Sequence, residues 1–123
     1  MAARLCFPKR PVILVSGDGS MTFTVAELEC AVRQRLPFVA VVADDQAWGI
    51  TRTGHLRQFG DAISSDLGPI DFAALAESLG AHGVRVSDAA QIAAEIRSGL
   101  EEGRPKVIHV PMRGGNELPQ LAP

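Results

Sequence analysis

The sequence predicts an α/β domain, an open parallel sheet with flanking helices. Apolar runs of strand length alternate with segments of helical periodicity, the pattern of a parallel sheet with crossover helices. The run Val12–Val15 is continuously apolar, which is typical of a strand buried on both faces. No linker, repeat or low-complexity tract divides the 123 residues. We therefore predict a single domain over residues 1–111, followed by a loose tail over 112–123.

The N-terminal half supplies two predicted strands and the helix between them. Residues 1–6 have the pattern of the last turns of a helix, and Val12–Val15 is the first strand. Residues 22–35 form a helix whose wide apolar arc predicts that it is largely buried. Pro37 ends that helix, and residues 38–43 form a second buried strand.

The C-terminal half begins with a segment that has no clean period. Residues 44–70 contain several glycines, and a long irregular stretch in a compact domain is usually functional or mobile. Capping residues and glycines bound the elements that follow. These are a helix from Asp71 to Gly80, a strand at Val84–Val86, a helix from Ser87 to Gly103 and a strand at Val107–Val110.

Composition excludes several classes of function. The net charge of −2, without a Lys/Arg cluster, argues against nucleic acid as a partner. No apolar run approaches the ~20 residues of a membrane span. The first residues lack the pattern of a signal peptide. Cys6 and Cys30 do not form a C-x-x-C pair, so we expect reduced core thiols and a cytoplasmic location.

Acidic residues follow both of the first two strands. The first strand runs into Ser16-Gly17-Asp18-Gly19-Ser20, and the second ends in Asp44-Asp45. Because parallel strands place their carboxyl ends at one edge of a sheet, Asp18 and either Asp44 or Asp45 are expected to face a shared cation such as Mg²⁺. Glycines allow close approach of a ligand, and a helix after Ser20 would direct its free N–H groups at an anion.

The two halves together resemble the diphosphate-binding motif of thiamine diphosphate enzymes. The head of that motif matches Gly17-Asp18-Gly19-Ser20, and its tail matches Asp44-Asp45-Gln46-Ala47-Trp48-Gly49. Asp45 follows Asp18 by 27 positions, the separation expected for the second metal ligand. From Pro11 to about Pro111 the chain is similar to the C-terminal, diphosphate-binding domain of the acetolactate synthase-like group.

The resemblance implies a role for each matching residue. Asp18 and Asp45 would ligate Mg²⁺ through carboxylate oxygens, and Ala47 through its backbone carbonyl. Gly19 and Ser20 would bind the diphosphate. Cofactor contacts are implied for Gly17, Asp18, Gly19, Ser20, Asp45, Ala47, Trp48 and Gly49.

The sequence departs from the family in two respects. Asp44-Asp45 replaces the usual Asn-Asn or Asn-Asp pair, which adds negative charge beside an anionic diphosphate. The glutamate that activates the cofactor lies in a different domain of the family, usually on a partner subunit, and the strand that opens the domain has no counterpart here. We therefore expect a fragment or one subunit of a split enzyme, a homo- or hetero-oligomer that needs a partner chain or further domains for activity.

The resemblance implies a function in 2-oxo acid chemistry, namely decarboxylation and acyl transfer with thiamine diphosphate and Mg²⁺. The alternative is a non-catalytic, truncated or assembly-only domain that pairs with a partner chain. A haloacid dehalogenase-type phosphatase is disfavoured because Ser16 stands where the attacking carboxylate would be.

Three further residues admit two interpretations each. Trp48 either lines a cofactor or substrate channel or only packs. His55 either binds a substrate carboxylate or lies on a solvated loop. Glu27, in the predicted buried helix, is interpreted as a polar or interface contact rather than a catalytic group. His82 and His109 are interpreted as structural.

Overall fold

The computed structural model describes residues 1–112, and the predicted tail beyond Met112 lies outside the described residues. A four-stranded sheet organises this part of the chain, with the strand order β1-β2-β4-β3 and every pairing parallel. The strands are β1 (Ile13–Gly17), β2 (Val39–Asp44), β3 (His82–Arg85) and β4 (Lys106–Pro111). The predicted fold class is confirmed.

Within residues 1–112, six helices connect and flank these strands. They are α1 (Ala2–Cys6), α2 (Asp18–Thr22), α3 (Glu27–Arg33), α4 (Gly49–Phe59), α5 (Phe72–Ser78) and α6 (Ala89–Glu101). Asp71 caps α5 as predicted, because its side chain accepts from the backbone N–H groups of Ala73 and Ala74.

Two apolar cores lie on opposite faces of the sheet. On one face Val42 and Val107 pack with Leu28 of α3 and Phe72 of α5. On the other face the core is smaller: Val39, Val41, Val86 and Ile108 pack against Ile92 and Ile96 of α6. The central strands β2 and β4 are buried by both cores, as strands of a parallel sheet require.

The prediction that the first strand is buried on both faces is wrong. Leu14 and Val15 in β1 are 43% and 74% exposed. Among the described residues β1 pairs only with β2, so it forms an edge of the sheet. An apolar sequence favours a strand, but burial depends on what packs against it, and α6 covers the sheet only nearer its centre.

Two predicted helices have different bounds, and one helix lies in a segment predicted to be irregular. The segment predicted as one buried helix over 22–35 divides into the end of α2, a turn and α3, of which only Leu28 and Ala31 are buried. The segment 44–70 contains the eleven-residue helix α4, which has no buried residue and therefore no apolar periodicity to reveal it. Asp88, not Ser87, caps α6, because its side chain accepts from the N–H of Ala90.

The cysteines also differ from expectation. Both are free thiols, but Cys6 is exposed and Cys30 half-buried, so neither is a core residue. Over residues 1–112, no helix combines the length and the apolar character that a membrane crossing demands.

Candidate functional site

The carboxyl ends of β1 and β2 lie side by side. Gly17 at the end of β1 pairs in register with Ala43 of β2, and Asp44 ends β2 one residue later. The next residue after Gly17 is Asp18, which begins α2, so helical structure starts four residues before the predicted helix over 22–35. The two acidic segments therefore meet at one edge of the sheet, as their positions after parallel strands predict.

Asp18 connects the two segments directly. Its carboxylate is almost fully buried and accepts from the N–H of Gly19 (2.8 Å, to Oδ1) and from the N–H of Ala47 (3.2 Å, to Oδ2). Burial raises the pKa of Asp18, the Gly19 N–H opposes this, and nearby Asp44 and Asp45 raise the pKa further. The site thus holds more negative charge than its own donors neutralise.

A turn held by Asp44 shapes the second segment. Asp44 Oδ1 accepts from the N–H of Gln46 (3.1 Å), and Gln46 has a left-handed φ of 56°. The chain then forms an antiparallel bridge between Ala47 and Asp66. In the described residues, no backbone N–H donates to the Ala47 carbonyl, which leaves that oxygen available to a ligand.

Asp45 points in a different direction from Asp44. It lines a cleft and is half-buried. Gly49 lies beneath it, and a Cβ built on Gly49 would come within 2.9 Å of Asp45 Oδ2. Gly49, the first residue of α4, therefore provides space for the Asp45 carboxylate, and its predicted contact with the cofactor stays a prediction.

Trp48 packs across the motif's first half. A Cβ on Gly19 would come within 2.8 Å of the Trp48 ring, so the indole lies on the glycine backbone. Phe23 lies on the indole as well, with ring centroids 5.3 Å apart. Trp48 thus packs and also lines the cleft, and its contact with a cofactor stays a prediction.

The start of α4 also faces the cleft, a feature that the sequence did not reveal. Ile50 and Thr51 in its first turn line the cleft, and no side chain among the described residues caps the helix at Trp48. The first N–H groups of a helix have no acceptor within the helix, and they attract anions. The sequence gives only a weak indication of this site, because Gly49 and Thr51 follow an acidic loop. The helix itself could not be predicted because its residues have no apolar periodicity.

The cleft has a volume of about 590 Å³. Most of the predicted site residues line it: Gly17, Gly19, Ser20, Asp45, Ala47, Trp48 and Gly49. Asp18 does not line the cleft, but it accepts hydrogen bonds from two residues that do, Gly19 and Ala47.

The oxygen atoms of the candidate site fit a small hard cation. Two carboxylates and one carbonyl are oxygen ligands of the type that Mg²⁺ takes together with phosphate oxygens and water. Within residues 1–112 there is no group of three or more His, Cys, Asp or Glu side chains that could hold a metal alone. A cation here would therefore depend on the backbone carbonyl and on the ligand itself.

Other candidates lie away from the cleft. His55 in α4 contacts Ser65 Oγ and the Ile63 carbonyl, each at 3.1 Å, so it ties α4 to the following segment. Glu27 is exposed at the start of α3 and not in a buried helix as expected. His109 is fully buried against Asp44 beneath the site, with 2.8 Å between Nε2 and Oδ2.

Comparison with known proteins agrees with this geometry. The profile of the family described as "Thiamine pyrophosphate enzyme, C-terminal TPP binding domain" matches residues 1–110. The acetolactate synthase of Bacillus subtilis (strain 168) is 37% identical over 112 residues, covering 91% of this chain and 20% of that protein.

Two solved structures share the fold. The thiamine diphosphate-dependent 4-hydroxybenzoylformate decarboxylase of Rhodococcus jostii RHA1 superposes with a TM-score of 0.86 at 28% identity. Benzoylformate decarboxylase from Polynucleobacter necessarius superposes with a TM-score of 0.82 at 26% identity. Each alignment covers 94% of this chain and 22% of the other. The chain thus spans about a fifth of the length of the proteins it matches.

Proposed function

Because this chain belongs to the thiamine pyrophosphate enzyme family, as a C-terminal cofactor-binding domain, we propose a location for its thiamine diphosphate site and a reaction class for the parent enzyme. The family binds this cofactor with Mg²⁺ as the usual partner ion. In our proposal the cation is held by Asp18, Asp45 and the Ala47 carbonyl, and the diphosphate occupies the adjoining cleft.

One observation carries this assignment. The hydrogen bond from the Ala47 N–H to Asp18 Oδ2 joins two halves of a motif that are 29 positions apart. This hydrogen bond holds Ala47 next to Asp18, so two of the three proposed metal ligands lie together. The Ala47 carbonyl accepts no hydrogen bond from a backbone N–H among the described residues. Each carboxylate oxygen has two lone pairs, so Asp18 can accept these hydrogen bonds and still ligate a cation.

The cleft supplies complementary groups for the diphosphate. The backbone N–H of Ser20 and the uncapped first turn of α4 offer donors at the cleft, and anions are favoured there by the helix dipole. A bound cation would neutralise the excess negative charge that raises the pKa of Asp18. The protein's contribution is therefore to anchor and orient the cofactor, and the bound cofactor supplies the carbanion chemistry.

We assign the parent enzyme to acetolactate synthase-like 2-oxo acid chemistry, that is, decarboxylation and acyl transfer. The similarity to an acetolactate synthase over most of this chain supports this reaction class. The assignment includes a partner chain or further domains that carry the activating glutamate.

A second candidate is an assembly-only domain. The exposed apolar strand β1 supports it, because such an edge is suited to cover by another chain. The two candidates differ in whether cofactor binding matters for the protein.

Calorimetric titration tests the assignment. The protein is titrated with thiamine diphosphate in the presence of Mg²⁺ and in the presence of EDTA. We expect binding only with Mg²⁺, because bare diphosphate is repelled by Asp18 and Asp45, and we expect no binding by Asp18→Ala in either condition. Equal affinity in both conditions would contradict the proposed site, and absence of binding by the wild type would favour the assembly-only domain.

A second assay tests the need for a partner. We expect the cofactor-saturated chain alone to release no CO₂ from pyruvate, because affinity common to substrate and transition state does not accelerate chemistry. Turnover by a clean monomer would place the activating carboxylate within these 123 residues.

A further inference from the structure

We propose that His109 is a positioning residue that keeps Asp44 out of the metal coordination shell. The inference rests on the proposed function, since it concerns which of three neighbouring carboxylates holds the cation. Asp18 and Asp45 are the proposed ligands, although Asp44 lies beside both of them. In this proposal, a hydrogen bond from His109 on the neighbouring strand β4 holds the Asp44 carboxylate away from the cation.

The His109–Asp44 pair is deeply buried. His109 is fully buried and Asp44 is 5% exposed. His109 lies on β4 opposite Val42, two residues before Asp44, and its Nε2 is 2.8 Å from Asp44 Oδ2. An ionised carboxylate only accepts hydrogen bonds, so Nε2 carries the proton in this contact.

The second nitrogen of His109 makes no comparable contact. Nδ1 is 3.6 Å from Asp71 Oδ1, beyond hydrogen-bond distance, and has no hydrogen-bond partner within residues 1–112. Asp71 is already occupied by the N–H groups of Ala73 and Ala74, which it caps. The single hydrogen bond of the buried imidazole is therefore directed at Asp44.

The hydrogen-bond donors to Asp44 lie away from the cleft. Oδ1 accepts from the Gln46 N–H and Oδ2 accepts from His109, and neither of these residues lines the cleft. Asp18 also accepts two hydrogen bonds, but both come from the cleft-lining residues Gly19 and Ala47, on the side where the cation is proposed. Asp45, by contrast, lines the cleft and accepts no hydrogen bond from the described residues. The pattern of donors thus separates one carboxylate that shapes the loop from the one that is free to ligate.

Loss of the His109 donor would release a competing ligand. Asp44 follows Ala43, the register partner of Gly17, just as Asp18 follows Gly17, so a freed Asp44 carboxylate would lie beside Asp18 and near the cation. A third carboxylate favours Ca²⁺ over Mg²⁺, because Ca²⁺ accepts 6–8 oxygen ligands in flexible geometry whereas Mg²⁺ requires a near-ideal octahedron. The proposed signature is a change of cation preference, which a purely structural role of His109 does not predict.

The chain offers a matched control at the other end of the sheet. His82 begins β3, and its Nδ1 contacts Glu102 Oε2 at 2.6 Å. His82→Leu therefore removes another histidine–carboxylate hydrogen bond, far from the cleft. It reports the effect of lost stability alone.

The test measures the affinity of thiamine diphosphate in Mg²⁺ and in Ca²⁺ by calorimetry, together with the free energy of unfolding. Wild type, His109→Leu, His109→Gln and His82→Leu are compared. We expect His109→Leu to lower the ratio of Mg²⁺-supported to Ca²⁺-supported affinity about tenfold. His109→Gln, whose Nε2 can still donate to Asp44, is expected to keep the ratio within about threefold, and His82→Leu to leave it unchanged.

Each outcome decides the matter. An unchanged ratio in His109→Leu, or equal changes in the Leu and Gln variants, overturns the inference while the proposed function stands. A wild type that binds no cofactor overturns the proposed function and this inference with it. Should His109→Leu fail to fold, His109→Asn takes its place, since it keeps a buried polar side chain that is too short to reach Asp44. The same fall in the ratio is then expected, and its absence overturns the inference.

Discussion

The backbone N–H of Ala47 donates a 3.2 Å hydrogen bond to Oδ2 of Asp18, a buried carboxylate at the end of the neighbouring strand. This contact makes one site out of two segments that are 29 positions apart. It also concentrates negative charge around Asp18, because Asp44 and Asp45 accompany Ala47 to the same edge of the sheet.

Asp18→Asn is expected to separate stability from ligand binding. Burial and the neighbouring carboxylates raise the pKa of Asp18, so its charged form costs stability at neutral pH and a neutral amide removes that cost. The amide loses one acceptor, worth about 1 kcal/mol, so we expect the two effects nearly to cancel in metal-free protein. Chemical denaturation with EDTA measures this.

The same variant should be stabilised less by Mg²⁺ and thiamine diphosphate than the wild type, because it loses the charge and one carboxylate oxygen of a proposed ligand. Equal stabilisation of both proteins would show that Asp18 is not a ligand. A large loss of stability without Mg²⁺ would show that its hydrogen bonds outweigh its charge.

Asp45→Asn is expected to keep or tighten Mg²⁺-dependent cofactor binding. Asparagine still offers an oxygen ligand and removes one negative charge beside the diphosphate. Titration resolves a tenfold change in affinity, which corresponds to ~1.4 kcal/mol. Weaker binding would mean instead that the Asp45 charge is the main compensation for the cation.

Gly19→Ala is expected to weaken cofactor binding by displacing Trp48. The new methyl group would come within 2.8 Å of the indole, which must shift. Trp48→Leu in the same chain should restore part of the affinity, because it removes the clash. Gly54→Ala in α4 is the matched control, since a Cβ there meets nothing within 4 Å and alanine favours a helix. Equal affinity in Gly19→Ala and the wild type would show that the contact is not needed.

Glu102 is expected to make the free energy of unfolding depend on pH in the acidic range. Burial raises the pKa of Glu102, but hydrogen bonds from Lys106, His82 and Ser98 outweigh burial and lower that pKa from 4.5 to about 2. A depressed carboxyl pKa stabilises the fold above the unfolded pKa, and this stabilisation is lost as the pH falls from about 4.5 to about 2.

Glu102→Gln should therefore be less stable than the wild type by up to about 3 kcal/mol at neutral pH. The difference should shrink through that acidic window, as measured by denaturant unfolding at a series of pH values. A difference that does not change with pH would assign the effect to packing around Lys106 rather than to charge.

Val15→Lys is expected to reduce self-association of the chain in the absence of a partner. Val15 is 74% exposed in the edge strand β1, and a lysine at a sheet edge discourages strand-to-strand pairing. Light scattering as a function of concentration compares the variant with the wild type. A wild-type chain that stays monomeric at high concentration would show that the edge does not pair with itself.

The sequence determined the parallel α/β fold and the placement of the two acidic segments. Both follow from local chemistry: apolar runs of strand length, capping residues such as Asp71, and carboxylates directly after strands. The motif spacing also predicted that Asp18, Asp45 and Ala47 act together, and their role as metal ligands stays a prediction. Helix α4 escaped because it buries no residue, and an unburied helix has no apolar period.

The tertiary structure decided the burial of β1 and the division of labour among the carboxylates. The apolar residues of β1 predict a strand, but their exposure depends on which elements lie against it, and α6 packs on the central strands. Asp44 and Asp45 are neighbours of the same type, so no pattern separates them. Only the fold brings His109, 65 positions away, within 2.8 Å of Asp44, and the donors that surround each carboxylate then decide what it can bind.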